Sequence, residues 1–298
     1  MRLQYKDFAY WQNAFLQSGG LDKQEAYWKN QFQGEVPVLH LPYDYERPSK
    51  QSFIGETIYF ELDEKTTAEL RNVAKEQGVT LHMLLLSAFN ILLSKYSGQE
   101  DIVVGVPVAG RPHADLQNIM GMFVNTLAMR NLPRKEKVLR EFIAEVKENS
   151  IQAYDNQSYQ LEELIRAIHF KREQGRNPLF DVLFDMTNLD VHSDIKLNGG
   201  TLKPKMFESE IAKFDLTLVG LEREQNIEMC FEYSSMLFKK ETMDRAIRDL
   251  KTIIYSITTN LDITLSQISI RTEEERELIL QEEKSLDEIK NQEFSFTF

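Results

Sequence analysis

The stretch DIVVGVPVAGRPH at residues 101–113, followed by MGMFVNTLAMRN at residues 120–131, decides the fold. Its first part is an apolar run rich in β-branched residues and broken by Gly and Pro, which predicts a buried strand that opens into a loop. Its second part, Met122 to Arg130, predicts another strand, but Asn125 and Thr126 lie in its middle. Buried polar groups need hydrogen-bond partners. The pair therefore indicates a functional site or a neighbouring loop that must be held. The alternative is that Asn125 and Thr126 merely satisfy local backbone groups, and the pattern leaves both interpretations open.

The composition is ordinary for an α/β protein with an ample core, since 42% of the 298 residues are hydrophobic and 28% are charged. The net charge of −12 comes without a basic stripe, which argues against nucleic acid or an anionic membrane as the main partner. The single cysteine, Cys230, excludes a disulfide framework, and we expect it to be a buried hydrophobe rather than a nucleophile. No apolar run reaches membrane-spanning length and the N-terminus lacks a signal-peptide core, so we expect a cytoplasmic protein.

Hydrophobic periodicity predicts helices and strands that alternate along the chain, with a buried helix just before the central strand. The predicted helices cover residues 5–17, 22–32, 63–77, 80–97, 137–155, 161–168 and 240–259, and further strands cover 56–62, 181–186, 214–221 and 227–233. The stretch from Asp194 to Lys205 is predicted to be a loop with a turn at residues 198–200. Residues 265–270 are predicted to form a short strand, and residues 272–290 a charged linker or exposed tail.

No familiar reaction motif is found among the residues themselves. The sequence contains no Gly-rich phosphate loop, no Cys or His cluster with metal spacing and no nucleophile elbow, so we predict no metal site. Residue patterns alone thus predict an α/β fold with polar loops near Arg111, Asn125 and Arg176, and they do not predict a reaction.

Five segments, taken in order, resemble motifs of the condensation domains of non-ribosomal peptide synthetases. YKDFAYWQ (5–12) is similar to Tyr-x-Asp-Tyr-Ala-x-Trp, and LHLPYDYERP (39–48) to Leu-x-Leu-Pro-x-Asp-x-x-Arg-Pro. MGMFVNTLAMR (120–130) resembles the Gly-x-Phe-Val-Asn-Thr core and is the most specific match. NQSYQLE (156–162) resembles Asn/His-Gln-Asp-Tyr-Pro-Phe-Glu, with Ser158 for Asp and Gln160 for Pro, and REQGRNPLF (172–180) resembles Arg-Asp-x-Ser-Arg-Asn-Pro-Leu-Phe, with Gly175 for Ser.

The catalytic signature of that family, His-His-x-x-x-Asp-Gly, is absent from this sequence. In the family it lies upstream of the segment that here begins at Tyr5, so the resemblance implies a C-terminal lobe whose N-terminal partner lobe is missing. The implied fold is a chloramphenicol-acetyltransferase-like α/β lobe, with a mixed sheet flanked by helices. The implied division is a lobe over residues 1–270, of which 1–50 form the inter-lobe connection, and a linker over 271–298 that leads toward an adenylation domain.

The resemblance also implies the chemistry and the roles of particular residues. In the family, the amine of an aminoacyl thioester attacks an upstream acyl or peptidyl thioester, with both substrates carried on phosphopantetheine arms of carrier domains. The second His of the missing motif acts as a base or orients the amine, so we expect no catalytic residue in this chain and no activity from it alone. The Asp of that motif is usually held by an Arg of the C-terminal lobe, for which Arg111 is the first candidate and Arg176 the second. Asn125 and Thr126 are expected to line the tunnel between the lobes.

Three alternative functions stay open. An epimerisation-type lobe shares the fold, but its Asn-Tyr-Leu-Gly run is replaced here by FDMTN (184–188), which favours condensation. A free-standing CoA-dependent acyltransferase would use a His-x-x-x-Asp pair, and that spacing occurs once, at His40 and Asp44. This pair falls inside the Leu-x-Leu-Pro match, so we interpret the spacing as coincidence. The third alternative is a non-catalytic module that docks carrier domains.

Overall fold

Helices and strands alternate along most of the chain in the computed structural model, which describes residues 3–168, 170, 173–187, 195–197, 200–202 and 210–270. The helices in these ranges are α1 (Tyr5–Gln17), α2 (Asp22–Gln31), α3 (Glu64–Gln77), α4 (Leu81–Ser97), α5 (Leu139–Asp155), α6 (Leu161–Ala167) and α7 (Lys240–Thr259). The strands are β1 (Gly55–Leu62), β2 (Ile102–Val108), β3 (Asn125–Asn131), β4 (Val182–Thr187), β5 (Ile195–Leu197), β6 (Gly200–Leu202), β7 (Leu216–Glu222) and β8 (Ile227–Ser234).

One six-stranded mixed sheet organises the chain, in the order β1-β8-β7-β4-β2-β3. Strands β2, β4 and β7 are parallel neighbours, whereas β3, β8 and β1 pair antiparallel to them or to one another. The three parallel strands therefore end at the same edge of the sheet, which we call the carboxyl edge, and begin at the opposite, amino edge. Because β3 is antiparallel to β2, β3 begins at the carboxyl edge. The predicted α/β fold, with a mixed sheet flanked by helices, is confirmed.

The buried helix α4 anchors the core. It contacts β2 and β4, and it also contacts α5 and α7, which in turn pack on β3 and β1. Thirteen of its residues, from Leu81 to Ser94, are buried, as the apolar circumference predicted. Its ends follow the predicted signals, since the Thr80 hydroxyl accepts a hydrogen bond from the Met83 backbone (3.2 Å) and Gly98 ends the helix with a φ of +71°.

The strand predicted over Met122 to Arg130 begins later than expected. In the structure β3 starts at Asn125, and the three residues before it belong to a loop. The Tyr5 hydroxyl donates to the Met122 carbonyl (2.8 Å), and the Phe123 ring contacts Tyr5 at 5.1 Å between centroids. Contacts with α1 thus take the place of strand pairing, and local apolar pattern could not distinguish the two.

Two further predictions need correction. The stretch predicted as a loop contains a hairpin, because β5 and β6 pair antiparallel with Leu197 opposite Gly200. The prediction of a strand over residues 265–270 is wrong, because these residues form no regular strand. Two of them nevertheless bond to the chain before α5: the backbone N–H groups of Leu265 and Ser266 donate to the carbonyls of Lys137 and Lys135 (both 2.9 Å). The linker predicted over residues 272–290 lies outside the described residues. In the described ranges no single helix is long and apolar enough to cross a membrane. Helices α3 and α4 have enough length and apolar character only when taken together, and their axes are bent by 103° at the break between them.

Candidate functional site

The loop between β2 and β3 lies at the carboxyl edge, at the side of the sheet where β3 is the outermost strand. It turns at Gly110, whose φ is +63°, and a Cβ placed there would lie 1.8 Å from the carbonyl oxygen of Phe123. Only glycine fits this turn, because the left-handed conformation disfavours other residues and the opposite arm of the loop passes directly over it. The loop therefore folds back on itself and brings Arg111 next to Phe123.

Arg111 holds this loop together. Its guanidinium donates to the carbonyl oxygens of Leu116 and Ile119, the latter at 2.8 Å, and lies 4.0 Å from the centroid of the Phe123 ring. Within the described part of the chain Arg111 forms no ion pair. The first-choice arginine of the sequence prediction is thus at the carboxyl edge and half-buried, and it can still accept a carboxylate partner. Its pairing with a motif Asp stays a prediction.

Asn125 uses its whole side chain to hold a neighbouring segment. Its Nδ2 donates to the carbonyl oxygens of Gln157 and Tyr159 (both 2.9 Å), and its Oδ1 accepts from the backbone N–H of Leu161 (3.2 Å). Residues 156–161, which we call the α5–α6 segment, thereby receive three bonds from one buried side chain. Of the interpretations left open by the sequence, the structure supports the neighbouring loop.

Helix α2 holds the same segment from the other side. The Gln24 Oε1 accepts from the backbone N–H groups of Ser158 (3.1 Å) and Tyr159 (3.0 Å). The indole N–H of Trp28 donates to the carbonyl oxygen of Asn156 (2.9 Å). Sequence reasoning missed both α2 residues as determinants of the site, because nothing in a helical pattern tells which loop a polar side chain will reach.

Thr126 follows Asn125 in β3, and its side chain points to the opposite face of the sheet, because successive side chains of a strand alternate between the two faces. Its backbone N–H donates to the Asn125 Oδ1 (2.9 Å), and its side chain is half-buried. The two predicted tunnel-lining residues therefore lie at one edge of the sheet but do not face the same way. Their place in a tunnel stays a prediction.

Arg176, the second-choice arginine, lies at the amino edge of the sheet, just before β4. Its Nη1 donates to the Asp181 carboxylate (2.5 Å) and to the carbonyl oxygen of Leu39 (3.0 Å), and its Nε pairs with Glu173 (2.9 Å). Because β2 and β4 are parallel, Arg111 and Arg176 occupy opposite edges. The structure thus separates the two candidate arginines, and among the described residues only Arg176 of the two has carboxylate partners.

A second ion pair at the amino edge was not found by sequence reasoning. Arg47 donates to both carboxylate oxygens of Asp215, and the Tyr43 hydroxyl donates to the same carboxylate (2.8 Å). Burial, and then the charge of Asp215, raise the pKa of the Tyr43 hydroxyl, so it remains a donor. The matched Asp-x-x-Arg-Pro motif did contain Arg47, but its partner lies 168 residues away.

A cleft of about 690 Å³ opens beside the Arg176–Asp181 ion pair. Residues of the connection, from Glu35 to His40, form one wall, and residues 176–181 form the other. Asp101 and Val103, at the beginning of β2, line its floor. The cleft therefore lies at the amino edge, away from Arg111 and Asn125.

Cys230 and the His40–Asp44 spacing, the other chemical candidates from the sequence, do not form a reactive group in the structure. Burial raises the pKa of the Cys230 thiol to about 12, with a smaller contribution from the charge of Glu232, so the thiolate does not form. No hydrogen bond or ion pair joins His40 and Asp44, both of which are described residues. The Asp44 carboxylate accepts from the Lys239 backbone N–H (2.8 Å), and the backbone N–H of His40 donates to the Gln99 side chain (2.8 Å). No group of residues able to hold a metal ion is found in the described ranges.

Comparison with known proteins identifies the family. The sequence model of the Condensation domain matches residues 1–280. The chain belongs to the condensation domain family. Gramicidin S synthase 2 of Brevibacillus brevis is 46% identical over 280 residues, which are 94% of this chain and 6% of that protein. Tyrocidine synthase 3 of Brevibacillus parabrevis is also 46% identical over 94% of this chain, and the match covers 4% of its length.

Solved structures agree with this assignment. A four-domain nonribosomal peptide synthetase bound to AMP and glycine matches 85% of this chain and 20% of its own, with a TM-score of 0.78 and 26% identity. The X-domain from teicoplanin biosynthesis matches 90% of this chain and 62% of its own, with a TM-score of 0.80. At 22% identity the latter shows the fold alone. This condensation-family chain thus spans a small part of the curated synthases and under two thirds of that X-domain.

Proposed function

We propose that this chain is part of a condensation domain that joins a carrier-bound acyl or peptidyl thioester to a carrier-bound aminoacyl thioester. The observation that carries the proposal is the family match over residues 1–280. In the proposed reaction the acceptor amine attacks the thioester carbonyl, a C–N bond forms and the C–S bond breaks. The thiol of the donor phosphopantetheine arm leaves, and the amine loses a proton to a base.

We assign the base to a second lobe that carries His-His-x-x-x-Asp-Gly. At the carboxyl edge of this chain, Arg111 is a permanent cation, and Asn125 has no free donor or acceptor. His113 is nearby, but its ring is exposed and its Nδ1 accepts from the Asp115 backbone (3.2 Å). The chain therefore contributes positioning, with Arg111 pairing with the motif Asp, and Asn125 and Thr126 shaping the tunnel floor.

An exposed apolar surface beside this edge supports a second lobe as partner. Met120 and Met122 are 92% and 79% exposed, and Val124, Tyr10 and Trp11 are exposed next to them in the chain or on α1. We call these five residues the α1 surface. The two elements that carry them are in contact, since the Tyr5 hydroxyl of α1 donates to the Met122 carbonyl, and exposed apolar patches usually mark an interaction site. We propose that the second lobe covers the α1 surface, while residues 271–298 lead to an adenylation domain.

The test uses the complete domain as proposed here, in which this chain follows the second lobe. The complete domain is mixed with donor and acceptor carrier domains loaded with a panel of aminoacyl groups, and products are measured by mass spectrometry. We expect peptide from the complete domain and none above background from this chain alone. The matched control replaces both motif histidines with alanine. Peptide formation by the isolated chain, or none by the complete domain with any loaded pair, would contradict the proposal.

A further inference from the structure

The α5–α6 segment is held by side chains from two distant parts of the chain. Asn125, on β3, supplies three of its bonds, and Gln24, on α2, supplies two. Five backbone groups of residues 157–161 therefore depend on two side chains. An amide side chain can form at most four hydrogen bonds, and Asn125 forms four, the fourth with the N–H of Thr126. It consequently has no group left for a substrate.

The position of this segment affects the rest of the carboxyl edge. Asn125 immediately follows Phe123 and Val124, and the Phe123 ring lies against the Arg111 guanidinium. A shift of Asn125 therefore moves the arm of the loop that Arg111 holds. Gln24 connects the same segment to α2, which belongs to the predicted inter-lobe connection. The segment is thus bonded to Asn125, the residue of β3 that follows the Arg111 loop, and to Gln24 of the connection.

We propose that Asn125 and Gln24 are positioning residues for the condensation reaction, acting together through the backbone of the α5–α6 segment. This inference rests on the proposed function. Neither side chain touches the reacting atoms. Together they fix the spacing between the connection, which leads to the second lobe, and the loop that carries Arg111. Misplacement of a catalytic site by about 1 Å can cost a hundredfold in rate, so such bonds act on the chemical step.

Three substitutions separate this role from general stability. Asn125→Asp keeps the shape of the side chain but turns an oxygen, instead of two N–H donors, toward the carbonyls of Gln157 and Tyr159. Gln24→Ala removes the acceptor for Ser158 and Tyr159, whereas Gln24→Glu keeps an acceptor oxygen in the same place. The control is Asn131→Asp, which changes a buried Asn at the other end of β3, where its Oδ1 accepts from Asn149 (3.1 Å).

The four variants are compared in the complete domain with loaded carrier domains, together with their melting temperatures. We expect Asn125→Asp and Gln24→Ala to lower kcat about tenfold or more, with KM for the carriers within about a factor of two. Gln24→Glu should restore most of the rate, and Asn131→Asp should lower the melting temperature without this loss of kcat. In the double variant that combines Asn125→Asp with Gln24→Ala, the loss of kcat should be smaller than the two single losses combined, because both residues act on one segment.

Hydrogen exchange gives an independent measurement. The amides of Ser158, Tyr159 and Leu161 should exchange faster in Asn125→Asp and Gln24→Ala and remain protected in Asn131→Asp. The proposal is overturned if the rate losses merely follow melting temperature across all variants, or if Gln24→Glu is as slow as Gln24→Ala. Absence of peptide from the wild-type domain would instead overturn the proposed function, and unchanged exchange in the variants would overturn the inferred bonding by itself.

Discussion

Arg47 and Asp215 form a buried ion pair that ties the N-terminal connection to the beginning of β7. The Arg47 Nη1 lies 2.9 Å from the Asp215 Oδ1, and the two side chains are only 16% and 7% exposed. Arg47 also donates to the Gly175 carbonyl (3.0 Å), so it joins three separate stretches of the chain. Although residues 36–48 have no regular secondary structure, this pair fixes them to the sheet.

Removing one member of this pair should destabilise the chain strongly. Arg47→Ala leaves the Asp215 carboxylate buried without its cation, which typically costs about 3–5 kcal/mol of unfolding free energy. Equilibrium unfolding in urea measures the loss. The control is Arg166→Ala, because Arg166 and Glu163 form an exposed pair on α6 that should be worth at most about 1 kcal/mol. If the two variants lose the same unfolding free energy, the buried Arg47–Asp215 pair contributes no more to stability than an exposed pair.

His82 should make stability depend on pH. Its ring lies against Phe184 (5.0 Å between centroids), its Nδ1 is buried and has no hydrogen-bond partner among the described residues, and burial lowers its pKa to about 4. Because the folded pKa lies below the unfolded value near 6.5, the unfolded chain binds the proton first as pH falls. The stabilising contribution is therefore complete above about pH 6.5 and is lost progressively toward pH 4.

The variant His82→Phe tests this dependence. Between pH 7.5 and pH 5 the wild-type chain should lose about 2 kcal/mol more unfolding free energy than the variant, which cannot take up that proton. His113→Gln, a change of an exposed histidine, should leave the wild-type dependence in place. If His82→Phe and the wild type lose the same amount over this range, the His82 ring is protonated equally in both states and the burial argument fails.

The order of the elements could be predicted from sequence, but the partners of the polar side chains could not. Caps and apolar stripes act over one or two turns, so Asp63, Thr80, Gly98 and the face of α7 all behave as the pattern predicted. By contrast, Arg47 finds its carboxylate 168 residues away. The polar position within an apolar strand indicated that Asn125 needs partners, but it did not indicate which loop would supply them. Contacts between residues that are distant in the sequence produce no periodic pattern in the sequence, so they cannot be predicted from it.

Arg111 should have two separable roles. In the isolated chain, Arg111→Ala removes hydrogen bonds to the carbonyls of Leu116 and Ile119, which should cost about 1–3 kcal/mol. In the complete domain, if Arg111 pairs with the motif Asp, the same change should cost about 3–5 kcal/mol, because a buried carboxylate loses its partner. The test is to measure the unfolding free energy lost on Arg111→Ala in the isolated chain and in the complete domain. Arg140→Ala, which breaks an exposed pair with Asp262, is the control for both.

A motif Asp→Asn change completes the Arg111 test. If the two residues interact, the combined variant should be more stable than the sum of the single losses indicates. Strict additivity of the two changes, or equal costs of Arg111→Ala in the isolated chain and the complete domain, would assign Arg111 to the loop alone.

The α1 surface should mediate association. At micromolar concentration the isolated chain should self-associate or bind the separately expressed second lobe, because Met120 and Met122 are exposed on the loop before β3 and Trp11 is exposed on α1, which contacts that loop through Tyr5. The double change Trp11→Gln and Met122→Gln should weaken either interaction at least about tenfold. It should lower the unfolding free energy by no more than about 1.5 kcal/mol, mainly through loss of the Trp11 stack on Phe15 (5.2 Å between centroids). Sedimentation velocity measures both forms of association. Tyr255→Gln, on the exposed face of α7, is the matched control and should change neither. If the isolated chain stays monomeric and does not bind the second lobe, the α1 surface is not the interface between the lobes.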